Sequence, residues 1–287
     1  MPGFYFGAGV VFAKPHLKEA FQYSIIDLAN NSQSLIPFDY DYQASIRAWG
    51  GFRLASGFGF RTNFWGFDAD GQTSSNVADG NFIYGAHAIS VIFPANIFAI
   101  APGQRLVNTD SLRTQVYNFL GTYDTTAGGF EMSAGMGLRY AKLDQSLAST
   151  VFAASGGVVR ELNWQREYSG LGPSVAVDAK RRIGCSPFSI FGQGGGALLY
   201  GTKAIRRRVV GDQSPQPALE TLILEDADEV VGIGEVGFGL EWSRPLRGGR
   251  HISVRGLYEG QLWAEAGAPT LGFLGFESFG IQAELRR

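Results

Sequence analysis

The sequence predicts an all-β fold: an antiparallel transmembrane β-barrel of about ten strands (twelve is the alternative count) with short periplasmic turns and long outer loops. Three observations point there. Apolar residues recur with a period of two, the composition is rich in glycine and aromatics but poor in charge, and the connections alternate in length.

The composition sets the frame. The 287 residues include 40 Gly and 22 Phe, and only 17% are charged, against roughly 25% in an ordinary soluble domain. Nearly half the chain, 45%, is hydrophobic, too much for a disordered segment. The net charge of -2 gives no footprint for nucleic acid. The single cysteine, Cys185, excludes an internal disulfide and a paired-cysteine metal site.

The alternation runs the length of the chain. At the start, Phe4, Phe6, Ala8, Val10 and Phe12 share one face. In "FDYDYQASIRAW" (38–49), Phe38, Tyr40, Tyr42, Ala44, Ile46 and Ala48 oppose Asp39, Asp41, Gln43, Ser45 and Arg47. In 130–140, Phe130, Met132, Ala134, Met136, Leu138 and Tyr140 oppose Glu131, Ser133, two glycines and Arg139. In 236–243, Val236, Phe238, Leu240 and Trp242 oppose Gly237, Gly239, Glu241 and Ser243. In 252–263, Ile252, Val254, Tyr258 and Leu262 oppose Ser253, Arg255, Glu259 and Gln261, with Leu257 and Trp263 breaking the pattern. Phe279, Ile281, Ala283 and Leu285 repeat it at the end. A period of two sustained this long is strand and not helix.

Short, turn-forming connections lie at 55–57, 125–129, 181–187 and 244–250, and long ones at 15–36, 69–104, 145–160, 205–228 and 265–273. Between them fall ten strands, at 3–14, 37–54, 57–68, 106–124, 129–144, 163–181, 188–204, 229–243, 251–264 and 274–286. An even count puts both termini on the short-turn side. The chain reads as one barrel domain, 1–287, with the apolar, proline-containing segment 84–103 a candidate plug or insertion.

A soluble sandwich alternates too. Its strands, however, average about 5–6 residues, and its wet face would carry more Lys and Glu than these glycines, serines and isolated charges. Hydrocarbon requires every backbone N–H and C=O to be paired, which strands achieve only in a closed sheet. The apolar faces are therefore read as lipid-facing. Phe38, Tyr40, Phe60, Phe64, Phe130, Tyr140, Phe188, Tyr200, Trp242, Tyr258 and Phe279 are candidates for the interfacial aromatic girdles.

No stretch reaches the ~18 uninterrupted apolar residues of a membrane-spanning helix. The N-terminus lacks the basic start of a secretory signal, so an outer-membrane location implies that a signal has been removed.

The pieces 38–68 and 129–285, above all "GLRYAKLDQ" (137–145) and "GLYEGQLW" (256–263), resemble the pore-forming outer-membrane family common in planctomycetes, itself related to the Legionella-type major outer membrane protein. The resemblance implies an outer-membrane barrel with a channel role, and these motifs mark wall and rim positions with no catalytic centre.

The polar faces are read as pore lining: Asp39, Asp41, Arg47, Arg53, Arg61, Arg113, Glu131, Arg139, Glu235, Glu241, Arg255 and Glu259, with Asp178, Lys180 and Glu284 beside them. Both signs are present, so weak ion selectivity or mutual pairing is expected. The function expected is passive, weakly selective diffusion of small solutes. The alternative is a structural or partner-binding barrel with an occluded lumen. His16, His87 and His251 show no spacing that makes a catalytic dyad, so no enzyme is expected. "GQGGGALLYG" (192–201) lacks the α/β context of a dinucleotide loop, and the acidic run 225–229 lacks the calcium-loop pattern. No cofactor or metal is expected. The partners expected are outer-membrane lipid and small solutes or ions, with self-association left open.

Overall fold

A computed structural model describes residues 3–17, 21–27, 30–37, 39–76, 81–85, 99–100, 103–213, 216–266 and 273–287. Ten strands close into an antiparallel barrel: β1 (Gly3–Leu17), β4 (Gln43–Arg53), β5 (Phe58–Asn76), β8 (Arg105–Ala127), β9 (Phe130–Phe152), β10 (Val158–Arg182), β11 (Phe188–Gln213), β12 (Gln216–Pro245), β13 (His251–Ala264) and β14 (Leu274–Arg286). Each strand pairs with its neighbour in the wall. The ring closes where β1 lies between β14 and β4, with Val10 opposite both Ile281 and Ile46. Closure leaves no edge, the condition for strands to cross hydrocarbon.

At one end the connections are tight and depend on glycine. Gly128 and Gly129 adopt φ of 58° and 80° between β8 and β9, a backbone that a side chain would strain. At the other end the connections after β1 and β5 build a second sheet. There β2 (Phe21–Asp27), β3 (Ser32–Pro37), β6 (Asn81–Gly85) and β7 (Ala99–Ile100) pair in the order β3-β2-β6-β7. Ile36 and Ile100 from this sheet pack on Leu106 and Val151 of the wall. Most of the proposed plug segment, 86–98 with 101 and 102, lies outside the described residues.

Two of the expected loops are wall. Residues 145–152 and 158–160 continue β9 and β10, and 205–213 and 216–228 continue β11 and β12. The sequence misleads here because the alternation survives while its sign reverses. On β9, Met136 and Leu138 point outward and Arg139 inward, whereas further along Leu143, Leu147 and Val151 point inward and Lys142, Asp144 and Ser146 outward. On β10, Leu171, Val175 and Val177 face out below, and Glu161, Asn163, Gln165 and Glu167 face out above.

The outward apolar band on β9 runs from Phe130 to Tyr140. Ten steps of ~3.4 Å along a strand tilted by about 40° give a height of about 26 Å, close to the ~25 Å band of outer-membrane barrels. Its upper margin is marked by outward tyrosines whose hydroxyls reach carboxylates. Tyr200 donates to Asp228 at 2.7 Å and Tyr258 to Glu277 at 3.0 Å. Its lower margin carries Phe58, Tyr123, Phe130 and Phe188. Tyr40, expected in the girdle, is instead buried above the band. Phe38 lies outside the described residues.

Candidate functional site: the lumen and the apolar layer across it

The lower lumen is a polar chamber built from alternate residues of nearly every strand. Arg47 of β4 reaches across to Glu259 of β13 with two bonds, 2.7 and 2.5 Å. Gln193 and Gln261 donate to the same carboxylate at 2.8 and 2.7 Å. Arg139 donates to Glu235 at 2.7 Å and to Asn118. Arg61 pairs with Asp178 at 2.8 Å, and Arg53 with Asp124. Glu241 holds Lys180 at 2.9 Å and Arg255 at 2.5 Å, and Lys180 also reaches Glu131 at 3.2 Å. The absent side chain of Gly7 makes room for the Trp49 indole, which a Cβ would meet at 2.3 Å. That indole donates to Glu284 at 2.6 Å. Buried charges persist only when paired and hydrogen-bonded, and these groups largely satisfy one another, the Arg61 Nε being left without a partner.

Two cavities occupy this half. One of about 210 Å³ is bordered by Arg47, Arg61, Arg139, Glu235 and Glu259, and one of about 690 Å³ at the short-turn end by Arg53, Glu131, Lys180, Glu241 and Arg255.

Above the chamber the inward face turns apolar. Leu112, Leu143, Leu199, Val231, Trp263 and Leu274 are 0% exposed, each from a different strand, and they join Trp65, Phe67, Val116, Tyr168 and Phe276 in one cluster. Aromatic rings meet edge to face across the interior: Trp65 with Phe276 at 5.2 Å, Phe67 with Phe276 at 5.3 Å, and Trp263 with Phe276 at 6.3 Å. Their polar handles are satisfied, Trp65 donating to Ser45 at 3.1 Å and Tyr168 to the Leu199 carbonyl at 3.1 Å. At this level the inward side chains pack into an apolar layer that spans the interior. Higher still, buried Arg166 bonds Glu229 at 3.0 Å and the Glu265 carbonyl at 2.8 Å.

Of the residues expected to line a pore, Arg47, Arg53, Arg61, Glu131, Arg139, Glu235, Glu241, Arg255 and Glu259 face the lower chamber. Three do not. Arg113 points outward above the band, 2.9 Å from Asp68 on the neighbouring strand. Asp39 and Asp41 precede β4 and are exposed, and Asp39 pairs with Lys14 at 3.1 Å. The sequence reading missed Asn118, Asp124, Gln193 and Arg286 as parts of the network. It also missed that Leu257 and Trp263, the misfits of β13, point inward and are buried. Parity along β8 was the available signal, since Asn118, Thr122 and Asp124 share one face there. Of the histidines, His16 lies 3.5 Å from Glu277 on the outer surface, His251 starts β13 at the short-turn end, and His87 falls outside the described residues.

A family model described as the Legionella pneumophila major outer membrane protein precursor matches residues 1–270. No curated protein matches the sequence. Among solved structures, the outer membrane protease OmpT from Escherichia coli aligns with a TM-score of 0.51 and 8% identity, over 99% of this chain and 96% of that one. At that identity the likeness shows the fold alone. The attachment invasion locus protein Ail of Yersinia pestis aligns at 0.26 and 8% over 99% of both chains. The Pseudomonas putida toluene transporter TodX aligns at 0.30 and 6%, over 99% of this chain and 89% of that one.

Proposed function

Because this chain belongs to the Legionella pneumophila major outer membrane protein family and resides in a bacterial outer membrane, we propose that it works there as a structural, surface-presenting barrel whose lumen is sealed at rest. The dry layer of Trp65, Phe67, Leu143, Tyr168, Trp263 and Phe276 carries this reading. A standing pore needs a continuous wet path, and small barrels of this strand number fill their interiors with side chains. The extended β8–β12 walls and the second sheet then offer a platform above the membrane.

Reconstitution into a planar bilayer tests the reading. The wild-type protein gives no step-like conductance, and a Trp65→Ala, Trp263→Ala, Phe276→Ala variant that still folds does. Steps from the wild type overturn it.

They would favour a second reading, passive and weakly selective diffusion of small solutes. Two features support that one: the polar chamber of paired charges below the layer, and the likeness of 137–145 and 256–263 to pore-forming members of the family. Arg47→Glu or Glu241→Lys then changes the conductance. Neither reading includes catalysis. His16 and Glu277 face outward among tyrosines, and incubation with peptide substrates is expected to yield no cleavage.

A further inference from the structure

The cations of this wall fall into two groups. Several outward or loop-side cations above the membrane band have carboxylate partners: Lys14 with Asp39 at 3.1 Å, Arg113 with Asp68 at 2.9 Å, Lys142 with Asp144 at 2.8 Å and Arg206 with Glu167 at 3.6 Å, while Arg105 rests on the Phe152 ring at 4.8 Å. At the short-turn end, Arg181, Arg182, Arg244, Arg247 and Arg250 are all exposed. None of them forms an ion pair among the described residues.

They are also gathered on one arc of the rim. Arg181 and Arg182 close β10, Arg244 lies near the end of β12, and Arg247 and Arg250 sit in the following turn. The end of β12 meets the β10–β11 turn where the Ser243 amide donates to the Pro187 carbonyl at 3.0 Å. The turns at 54–57 and 128–129 carry no charge.

We infer that this arc is a binding surface for the phosphate groups of anionic phospholipids in the leaflet at the short-turn end. Arg182 has the inward parity of β10 and borders the larger cavity; the other four are like charges gathered on one arc, which repel one another, and none has an ion-pair partner among the described residues. Their depth selects the source. Arg181 and Arg244 lie on the outward parity of β10 and β12, just past the apolar band. The Arg181 guanidinium is 5.2 Å from the Phe130 ring, an aromatic at the lower margin. Lipid phosphates occupy that level, while a soluble acidic partner would approach from below. A guanidinium presents a planar fork that matches phosphate with two bonds. Each basic residue at an anionic surface raises local binding roughly fivefold. The surface serves the barrel whether its lumen is shut or open.

The test uses Trp242, a tryptophan on the outward parity of β12, two residues before Arg244. The full-length protein is folded into vesicles of phosphatidylcholine mixed with phosphatidylglycerol, and quenching of its emission by brominated acyl chains is compared for the two lipids. Wild type is expected to favour phosphatidylglycerol about tenfold or more at low salt. Arg181→Gln, Arg244→Gln, Arg247→Gln, Arg250→Gln brings the two lipids to parity, and lysine at the same four sites keeps part of the preference. Arg244→Gln alone lowers it roughly fivefold, a reading that stands if the fourfold variant does not assemble. Arg113→Gln with Arg206→Gln leaves it unchanged. Parity in wild type, or a preference that survives the four substitutions, overturns the proposal. So does binding of soluble acidic cell-wall fragments through these arginines without lipid preference.

Discussion

The lower and upper halves of the wall share strands, hydrogen-bonding and period, yet oppose each other in sign. On β9 the outward Leu138 is 51% exposed, and five residues later the inward Leu143 is 0% exposed. Below, hydrocarbon lies outside and a wet chamber inside, so apolar residues point out and Arg139 points in. Above, water lies outside and a dry core inside, so the same ribbon points leucines in and Lys142 and Asp144 out. A barrel strand therefore does not have one hydrophobic face. It has one face per medium, and the switch near Tyr140 marks where the medium changes.

The largest expected effect tests whether the lower chamber is as polar as this contrast requires. Glu259 accepts two bonds from Arg47 and one each from Gln193 and Gln261. Glu259→Ala leaves the Arg47 guanidinium buried without its partner, a loss of about 3–5 kcal/mol. Urea unfolding of the protein in lipid vesicles measures it. Replacing both partners, Arg47→Met with Glu259→Leu, costs far less, because a matched apolar pair strands no charge. Equal losses from the single and double variants would mean that the chamber wall tolerates no apolar pair.

The sharpest comparison comes from moving one substitution along one strand. Leu138→Arg puts a guanidinium into the middle of the lipid band and costs about 2–4 kcal/mol. Ser146→Arg, outward on the same strand but above the band, stays within about 0.5 kcal/mol. Similar losses at both sites would place the upper wall in hydrocarbon and erase the boundary at Tyr140.

This boundary explains what the sequence could and could not disclose. Ten strands, their parity in the lower half and most chamber charges were legible, because alternation against lipid is strong and monotonous. Residues 145–160 and 205–228 read as loops because their outward positions are polar, as loop residues are, and a period of two does not state which face is dry. Arg113 was assigned inward for the same reason. In "LRTQVYNF" (112–119) the outward residues pass from Arg113 and Gln115 to Tyr117 and Phe119 as the strand enters the membrane, so neither parity looks uniformly apolar. Trp263 looked like an error in β13 but belongs to the apolar part of the interior, and Leu257 is a buried inward residue set between the chamber residues Arg255 and Glu259. The apolar layer across the interior is assembled from one or two residues per strand, and only the closed ring brings them together.

A smaller effect is expected where both media are aqueous. Arg113 and Asp68 face each other across β5 and β8, both more than half exposed, and exposed pairs are screened by water and salt. Arg113→Ala should leave the unfolding midpoint unchanged within error. A clear loss would show that water does not reach this outer surface, and the upper half would need a covering partner.

The subtlest test lies in the upper interior, at Asp110. Its neighbours there include Tyr40, whose hydroxyl it holds, and Asp70. Burial raises the Asp110 carboxyl above the usual carboxylate range, Asp70 adds to the rise, and the Tyr40 hydrogen bond opposes it. Burial also raises the Tyr40 hydroxyl, with the Asp110 charge adding to it. A carboxyl raised in the folded state favours folding most when protonated, and its contribution is lost as pH climbs through the folded value. At neutral pH the ionised group therefore carries a cost that Asp110→Asn removes, while the amide can still accept the Tyr40 hydrogen bond. The variant is expected to be slightly more stable than wild type near neutrality, and the gap should close as the medium is acidified. Thermal melts of the two proteins across that range measure the difference. A gap that stays constant, or opens toward acid, would mean that Asp110 is solvated and that the upper interior is less dry than the lumen-closing layer beneath it.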